Sequence, residues 1–375
     1  CWIMEGQGMP ANNFENFWYL ELGGDRDAIR DTEKVASELI PLATGTWDYI
    51  KNSGNYRSEN WDLDFIGFLP GKRESRRMVG EYTITEKDIS GNRVFEDTVA
   101  YGGWPLDDHP PLGFHYNGEP NTAIDTPSPY CIPYRALYAK SISNLFFAGR
   151  NISTTHMALS STRVMATCAL LGQAVGTAAA LASKHSLTPH GVYMHKLREL
   201  QDLLLENDCF LPNTKREISD LCKSTPVING SDLLKDGEDR PNVIYGSTEC
   251  GQSVSNGTRL TYKFDKPEHV NSLHITFDSD LNRSTLPGDY PERAHSMRCN
   301  VKLDSPQCHM PKTLCRKFTV LLDTPSGEKT LFGTDCNLRR AYDIDINESV
   351  CGITLIPHEN WGDTAETRIF SYDFR

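Results

Sequence analysis

Arg73, Glu74, Arg76 and Arg77 put four charges into five positions directly after the Pro70-Gly71 turn. A run of this kind is usually solvated. A guanidinium turned inward, however, stays protonated near neutral pH and can hold a substrate oxygen or a developing negative charge. His156, Tyr134 and Arg135 are side chains able to give, take or stabilise a proton during a reaction. His109 sits in Asp107-Asp108-His109-Pro110-Pro111, with His115 close behind. A pair of loop histidines could hold a metal, but such residues are more commonly solvated or bonded locally, so no metal site is assigned. Cys131 and Cys168 lack a His or Asn arrangement that would activate a thiolate, and they read as packing thiols.

These groups need elements to place them. Residues 144–148 (Asn-Leu-Phe-Phe-Ala) have the texture of a buried strand, ended by Gly149, where a missing Cβ permits close approach by a ligand. Ser153, Thr154 and Thr155 can cap a helix expected from about 158 to 183, with Ser160, Ser161, Thr162 and Arg163 in its opening region. Free N–H groups and the dipole at such an end favour an anionic or electron-rich partner. Ala169, Gly172, Gly176 and Ala179 make a small-residue face on that helix. Its apolar run is interrupted by Thr167, Gln173 and Thr177 and falls short of the ~20 residues of a bilayer span, so a buried helix is expected.

Upstream, the spacing of Val35, Leu39, Ile40 and Leu42 predicts a helix over 31–50. Residues 65–69 read as a strand running into the Pro70-Gly71 turn, and 75–85 as a second extended stretch. Residues 101–134, rich in Gly, Pro, Asp and aromatics, read as a long functional loop. A second helix is expected over 190–204. Beyond residue 225 short extended runs appear at 259–264, 272–277, 317–322, 352–357 and 368–372, which predicts a sandwich or barrel. The division is therefore an α/β domain over 1–222 and an all-β domain over 225–375, with 223–230 as linker.

A net charge of −12 argues against nucleic acid or anionic membrane as the main partner, leaving small-molecule chemistry open. Eleven cysteines form no CxxC or zinc-ribbon spacing; those after residue 249 fit disulfides of an exported protein or buried thiols equally. The start Cys1-Trp2-Ile3-Met4-Glu5 carries no basic and apolar leader pattern.

The ordered motifs do more than the composition. Residues 145–150 (LFFAGR) and 160–167 (SSTRVMAT) resemble the C-terminal flavin-contacting motif of FAD-dependent oxidoreductases related to the fumarate reductase and succinate dehydrogenase flavoproteins. Residues 69–77 (LPGKRESRR) resemble that family's PGxRESRR element, and 101–105 (YGGWP) and 132–135 (IPYR) are similar to segments of its members. The resemblance spans roughly 15–185. It implies FAD as cofactor, hydride transfer on a small polar substrate such as a sugar or polyol, and a flavin met by Gly149, Arg150, Ser160, Ser161, Thr162 and Arg163. It also implies substrate-side roles for Arg73 or Arg76, His156, Tyr134 and Arg135. Members begin with a strand, a G-x-G-x-x-G turn and a helix that cradle the pyrophosphate. No such element is read here, so the resemblance implies a nucleotide-binding segment upstream of Cys1 as partner, without which this chain holds no stoichiometric FAD.

The last 150 or so residues resemble the discoidin-like, galactose-binding β-sandwich family through 270–280, Trp361 and 370–372. Tyr245, Trp361 and Arg339 are then candidates for sugar contact, with a structural lid the alternative and slightly favoured reading. The rival function for the whole chain is a non-catalytic carbohydrate-binding or scaffold protein.

Overall fold

The computed structural model describes residues 20–56, 58–240, 250–280 and 310–375. In chain order the first half forms α1 (Thr32–Asn52), α2 (Glu86–Ser90), β1 (Thr98–Gly102), β2 (Leu106–Asp108), β3 (Thr122–Ile124), β4 (Tyr130–Pro133), α3 (His156–Thr162), α4 (Met165–His185) and α5 (Pro189–Glu206). The described residues fall into two compact units. One holds 20–97 and 102–193, the other 98–101, 194–280 and 310–375.

In the first unit, α1 turns Val35, Leu39, Ala43 and Ile50 inward at helical spacing. Ile40, expected on that stripe, is exposed, because it lies about 100° around the helix from Leu39. The stretch 101–134 is more regular than a loop: β2 and β3 pair antiparallel, Leu106 with Ile124, Asp107 with Ala123 and Asp108 with Thr122. The expected strand 144–148 forms no ladder. Its main chain is tied to 137–139 instead, Ala139 N–H donating to Leu145 O and Phe147 N–H to Leu137 O, each at 2.9 Å. Residues 78–84 join the same weave, with Met78 N–H on Asn151 O (2.9 Å) and Ile84 N–H on Ser153 O (3.0 Å).

Two further expectations change. The apolar run 65–69 is not a strand; Phe65, Phe68 and Leu69 are exposed. The single helix expected over 158–183 is two, broken at Arg163-Val164. Thr155 caps α3 by accepting from Ala158 N–H at 3.2 Å, while Val164 caps α4 with no side-chain bond. α4 buries Thr167, Leu171, Ala174, Ala178 and Leu181, and leaves Gly172 and Gly176 exposed on its other side. By length and composition α4 could cross a bilayer, and about a third of its apolar window is buried.

The second unit adds α6 (Asp220–Ser224), β5 (Val227–Ile228), β6 (Gln252–Ser255), β7 (Leu260–Phe277), β8 (Cys315–Thr324), β9 (Gly327–Thr334), β10 (Ala341–Asn360) and β11 (Glu366–Phe374). All seven strands belong to one antiparallel sheet that the register folds into two layers. β7 and β10 are 18 and 20 residues long. Their pairing shifts between Asp345 and Glu348 and again between Val350 and Gly352, so each long strand serves both layers. One layer runs β5–β7–β10–β8–β9, the other β6–β11–β7–β10.

Rings from opposite layers meet inside. Tyr262 lies 5.0 Å from Tyr372 and 4.7 Å from Phe374, and Phe277 lies 4.9 Å from Phe318. Each buried phenol is satisfied, Tyr262 donating to Tyr372 O at 2.5 Å and Tyr372 to Ile353 O at 2.9 Å. The stretch 223–230, read as a linker, is built into this unit: β5 pairs with β7, and Val227 sits in the core beside Cys222. Burial of Val227 outweighs the polar, turn-rich texture of its neighbours.

Candidate active site

A cavity of about 350 Å³ opens in the first unit. One wall is aliphatic, from Ile29, Val35 and Leu39 at the start of α1. The facing wall carries Glu21, Arg73, Glu74, His109 and His156. Two turns bring these side chains together. Gly113 takes a positive φ (+51°) where the chain doubles back, and a Cβ there would lie 2.1 Å from Glu21 O. Phe114 N–H then donates to that same carbonyl at 2.9 Å, fastening residue 21 beside His109. Arg150 donates to the main-chain oxygens of Lys72 and, at 3.3 Å, Arg73, which holds the 72–75 loop against the turn at Gly149.

Asp107 and Asp108 project to opposite sides of β2, as successive strand residues must. Asp107 is buried and accepts from Asn121 Nδ2 at 2.7 Å and from Arg163 Nη2 at 2.9 Å, with His109 Nε2 at 3.3 Å. Arg73 donates to its main-chain oxygen. Burial opposes ionisation of Asp107, but the bonds from His109 and Asn121 and the charges of His109 and Arg73 prevail, so its pKa lies well below the ordinary carboxylate range. His109 shows the reverse: burial favours the neutral ring, yet the bonds to Asp107 and Glu21 raise its pKa. Burial and then repulsion from Arg163 lower that of Arg73. On the other side, Asp108 stands 3.4 Å from His156 Nε2, and Glu74 bonds His156 Nδ1 at 2.5 Å.

The candidate residues separate clearly. Arg73 and His156 line the cavity, whereas Arg76 is exposed and does not. Tyr134 is packed away: its ring lies 5.1 Å from Tyr138, its hydroxyl donates to Pro189 O at 2.9 Å, and burial raises its pKa far above the ordinary tyrosine value. Arg135 grips the fully buried Asp97 with two bonds of 2.9 and 3.0 Å, and neither of these two residues lines the cavity. Burial raises the Cys168 pKa, as a packing thiol requires. His115 is exposed and apart from His109, and no metal-binding cluster exists among the described residues. Of the residues named for sugar contact, Tyr245 lies outside the described residues and Arg339 is exposed. Trp361 is half-buried, its indole N–H on Asn337 O at 2.8 Å.

The cofactor-side candidates divide as well. Gly149 has φ +94°, and the space its Cβ would enter meets only Asn151 Oδ1, at 3.5 Å. Thr162 Oγ1, Arg163 Nε, Arg73 Nε and Trp104 Nε1 are buried without a hydrogen-bond partner among the described residues. Orphaned donors cost about 1–3 kcal/mol each, so four in linked residues fit an electron-rich group such as a flavin edge. Ser160 and Ser161 do not fit. They are fully buried and already bonded, Ser160 to Met157 O at 2.6 Å and Ser161 to Trp104 O and Tyr130 Oη.

Glu21, Asp107 and Asn121 are site members that no sequence motif singles out, and His109 stands out in the sequence only as a metal candidate. Asp107-Asp108-His109 carried a signal in its density of charge, whereas Glu21 carried none, since it joins the site through the turn at Gly113.

A family model described as FAD dependent oxidoreductase matches residues 9–204. No curated protein matches the chain. Among solved structures, a family 32 carbohydrate-binding module from Streptococcus pneumoniae EndoD is similar at 12% identity, covering 42% of this chain and 99% of its own, with a TM-score of 0.28. The module CpGH89CBM32-4 of Clostridium perfringens, in complex with glcNAc-alpha-1,4-galactose, is similar at 12% identity over 43% of this chain and 96% of its own, with a TM-score of 0.26.

Proposed function

The chain belongs to the FAD dependent oxidoreductase family, and on that premise we propose that it catalyses hydride transfer on a small polar molecule, a sugar or polyol, held in the cavity beside Arg73. The single observation that carries this reading is the cavity's two-sidedness. An aliphatic wall from Val35 and Leu39 suits the C–H face of such a molecule, and the facing Arg73, Glu74, His109 and His156 suit its oxygens. Its volume, about 350 Å³, is of the order that small ligands fill.

FAD, when bound, supplies the two-electron acceptor or donor, and Gly149, Arg150, Thr162 and Arg163 are the residues that would hold it. The chain's own side chains do the rest. Arg73 is fixed by the Asp107 main chain and points its charge at the cavity, where it stabilises oxygen that becomes negative. His156, oriented by Glu74, orders a hydroxyl. The α1 wall keeps water from the reacting carbon.

The test is anaerobic bleaching of the flavin bands. The protein is mixed with excess FAD and a panel of aldoses and sugar alcohols. Bleaching by at least one of them, slowed 100-fold or more in Arg73→Ala and little changed in Arg76→Ala, is the expected result. Equal rates in Arg73→Ala and the unaltered protein would remove Arg73 from the site.

A further inference from the structure

His109 is the least exposed titratable side chain on the polar wall of the cavity, with 11% of its side chain accessible. Both ring nitrogens are engaged, Nδ1 by the Glu21 carboxylate and Nε2, at 3.3 Å, by Asp107. Asp107 is at the same time the acceptor for Arg163 at 2.9 Å and Asn121 at 2.7 Å, and its main chain receives Arg73. One buried carboxylate thus bonds an imidazole that follows β2 and a guanidinium at the end of α3, with the Arg73 guanidinium of the 72–75 loop 4.0 Å away. His156, by comparison, is 48% exposed and stands 3.4 Å from Asp108.

We infer that His109 is the proton-carrying residue of the cavity and that Asp107 is the positioning residue that sets its charge. This deepens the oxidoreductase reading of the same cavity and rests on it. Oxidation of a hydroxyl-bearing carbon breaks one C–H and one O–H bond as the C=O bond forms. FAD, when bound, would accept the hydride. The hydroxyl proton passes to Glu21, which lines the same wall, as the proton that Glu21 shares with Nδ1 moves onto the neutral His109 ring. Reduction runs the same path backwards, the imidazolium returning its Nδ1 proton. Nε2–H stays on Asp107 throughout, so one tautomer is left when the ring is neutral.

The charged groups facing His109 settle the direction of control. Asp107 and Glu21 favour the imidazolium, Arg73 opposes it, and Asn121 is neutral. Arg163 and His109 share the Asp107 carboxylate. Removing the Asp107 charge leaves Glu21 against Arg73 and lets desolvation act, so the ring should lose its proton at lower pH.

The experiment is a ring-nitrogen NMR titration of the histidines in the full chain, with a parallel pH profile of flavin bleaching. His109 should titrate above the ordinary value of ~6.5 and become about tenfold or more acidic in Asp107→Asn. Glu21→Gln should move it the same way. The rising limb of the bleaching rate should shift to lower pH by the same factor. His109 titrating unchanged in both variants would overturn the pairing, and it does so without FAD or substrate. A bleaching limb that stays in place while the titration moves would overturn the proton role and leave the oxidoreductase reading standing. Failure of every substrate to bleach FAD bears on that reading alone. Should Asp107→Asn not fold, the Glu21→Gln titration decides.

Discussion

Arg150 closes its guanidinium on the main-chain carbonyl of Lys72, so the turn at Gly149 and the loop that carries Arg73 are tied together. Gly149 was expected at the cofactor and Arg73 at the substrate. Neither position requires the other in the sequence, since 76 residues separate them. The bond gives the chain a physical link between the place proposed for the flavin and the wall proposed for the substrate.

Ser161 should be a stability residue. Its hydroxyl is buried and shared between Trp104 O and Tyr130 Oη. Ser161→Ala should cost roughly 1–3 kcal/mol, by leaving those groups unpaired, and should leave flavin affinity within about twofold. Urea unfolding and FAD titration of the same variant check both halves. A stable variant with much weaker FAD binding would return Ser161 to the cofactor.

Arg216 is the ionic centre of the second unit. It bonds Asp373 at 2.7 and 3.0 Å and Asp239 at 2.8 and 3.0 Å, with only 3% of its side chain accessible. Arg216→Ala strands two carboxylates inside the protein and should cost about 3–5 kcal/mol. The loss should appear as a lower urea midpoint for the sheet signal in circular dichroism. A change under about 1 kcal/mol would mean that water reaches the pair.

His274 gives this unit a pH dependence with a definite sign. Burial opposes the charged ring, but the bonds to Asp239 and to Asp343 (2.9 Å) prevail and raise its pKa to about 9. Arg216 opposes this, and Thr276, at 2.9 Å from Nε2, completes the shell. The folded pKa lies above the unfolded one. The stabilisation is therefore full below pH ~6.5 and is lost as pH rises through about 9, with an upper limit on the order of 3 kcal/mol. Unfolding midpoints across that range should fall in the native chain and stay flatter in His274→Gln. Parallel slopes would assign the effect to other groups.

Much of this architecture is legible from residue order, and the rest has physical causes. The runs at 259–264 and 272–277 were visible as strands, but they are two halves of β7, joined by a polar stretch that alternation does not mark. β9 escaped because it is an edge strand whose residues are exposed or half-buried, leaving no apolar face to read. Tyr342, Ile344 and Ile346, alternating with Asp343 and Asp345, signal the first half of β10 by strict alternation. In the site, Arg73 and Gly149 came from local motifs. Tyr134 and Arg135 came from the same kind of motif and proved to be packing and ion-pair residues, since a motif preserves a fold as readily as a site. Glu21 depends on a turn more than 80 residues away, which no local pattern encodes.

The proposed redox chemistry depends on flavin binding at the Gly149 turn, and a fluorescence titration of FAD with the full chain tests it. The open space beyond Gly149 and the donors of Thr162 and Arg163 predict saturable quenching. Gly149→Val would put a branched side chain where φ is +94°, straining the turn and filling that space. It should weaken binding tenfold or more, while the far-ultraviolet circular dichroism of the chain is retained. Equal quenching by the native chain and a folded Gly149→Val variant would contradict flavin binding at this turn.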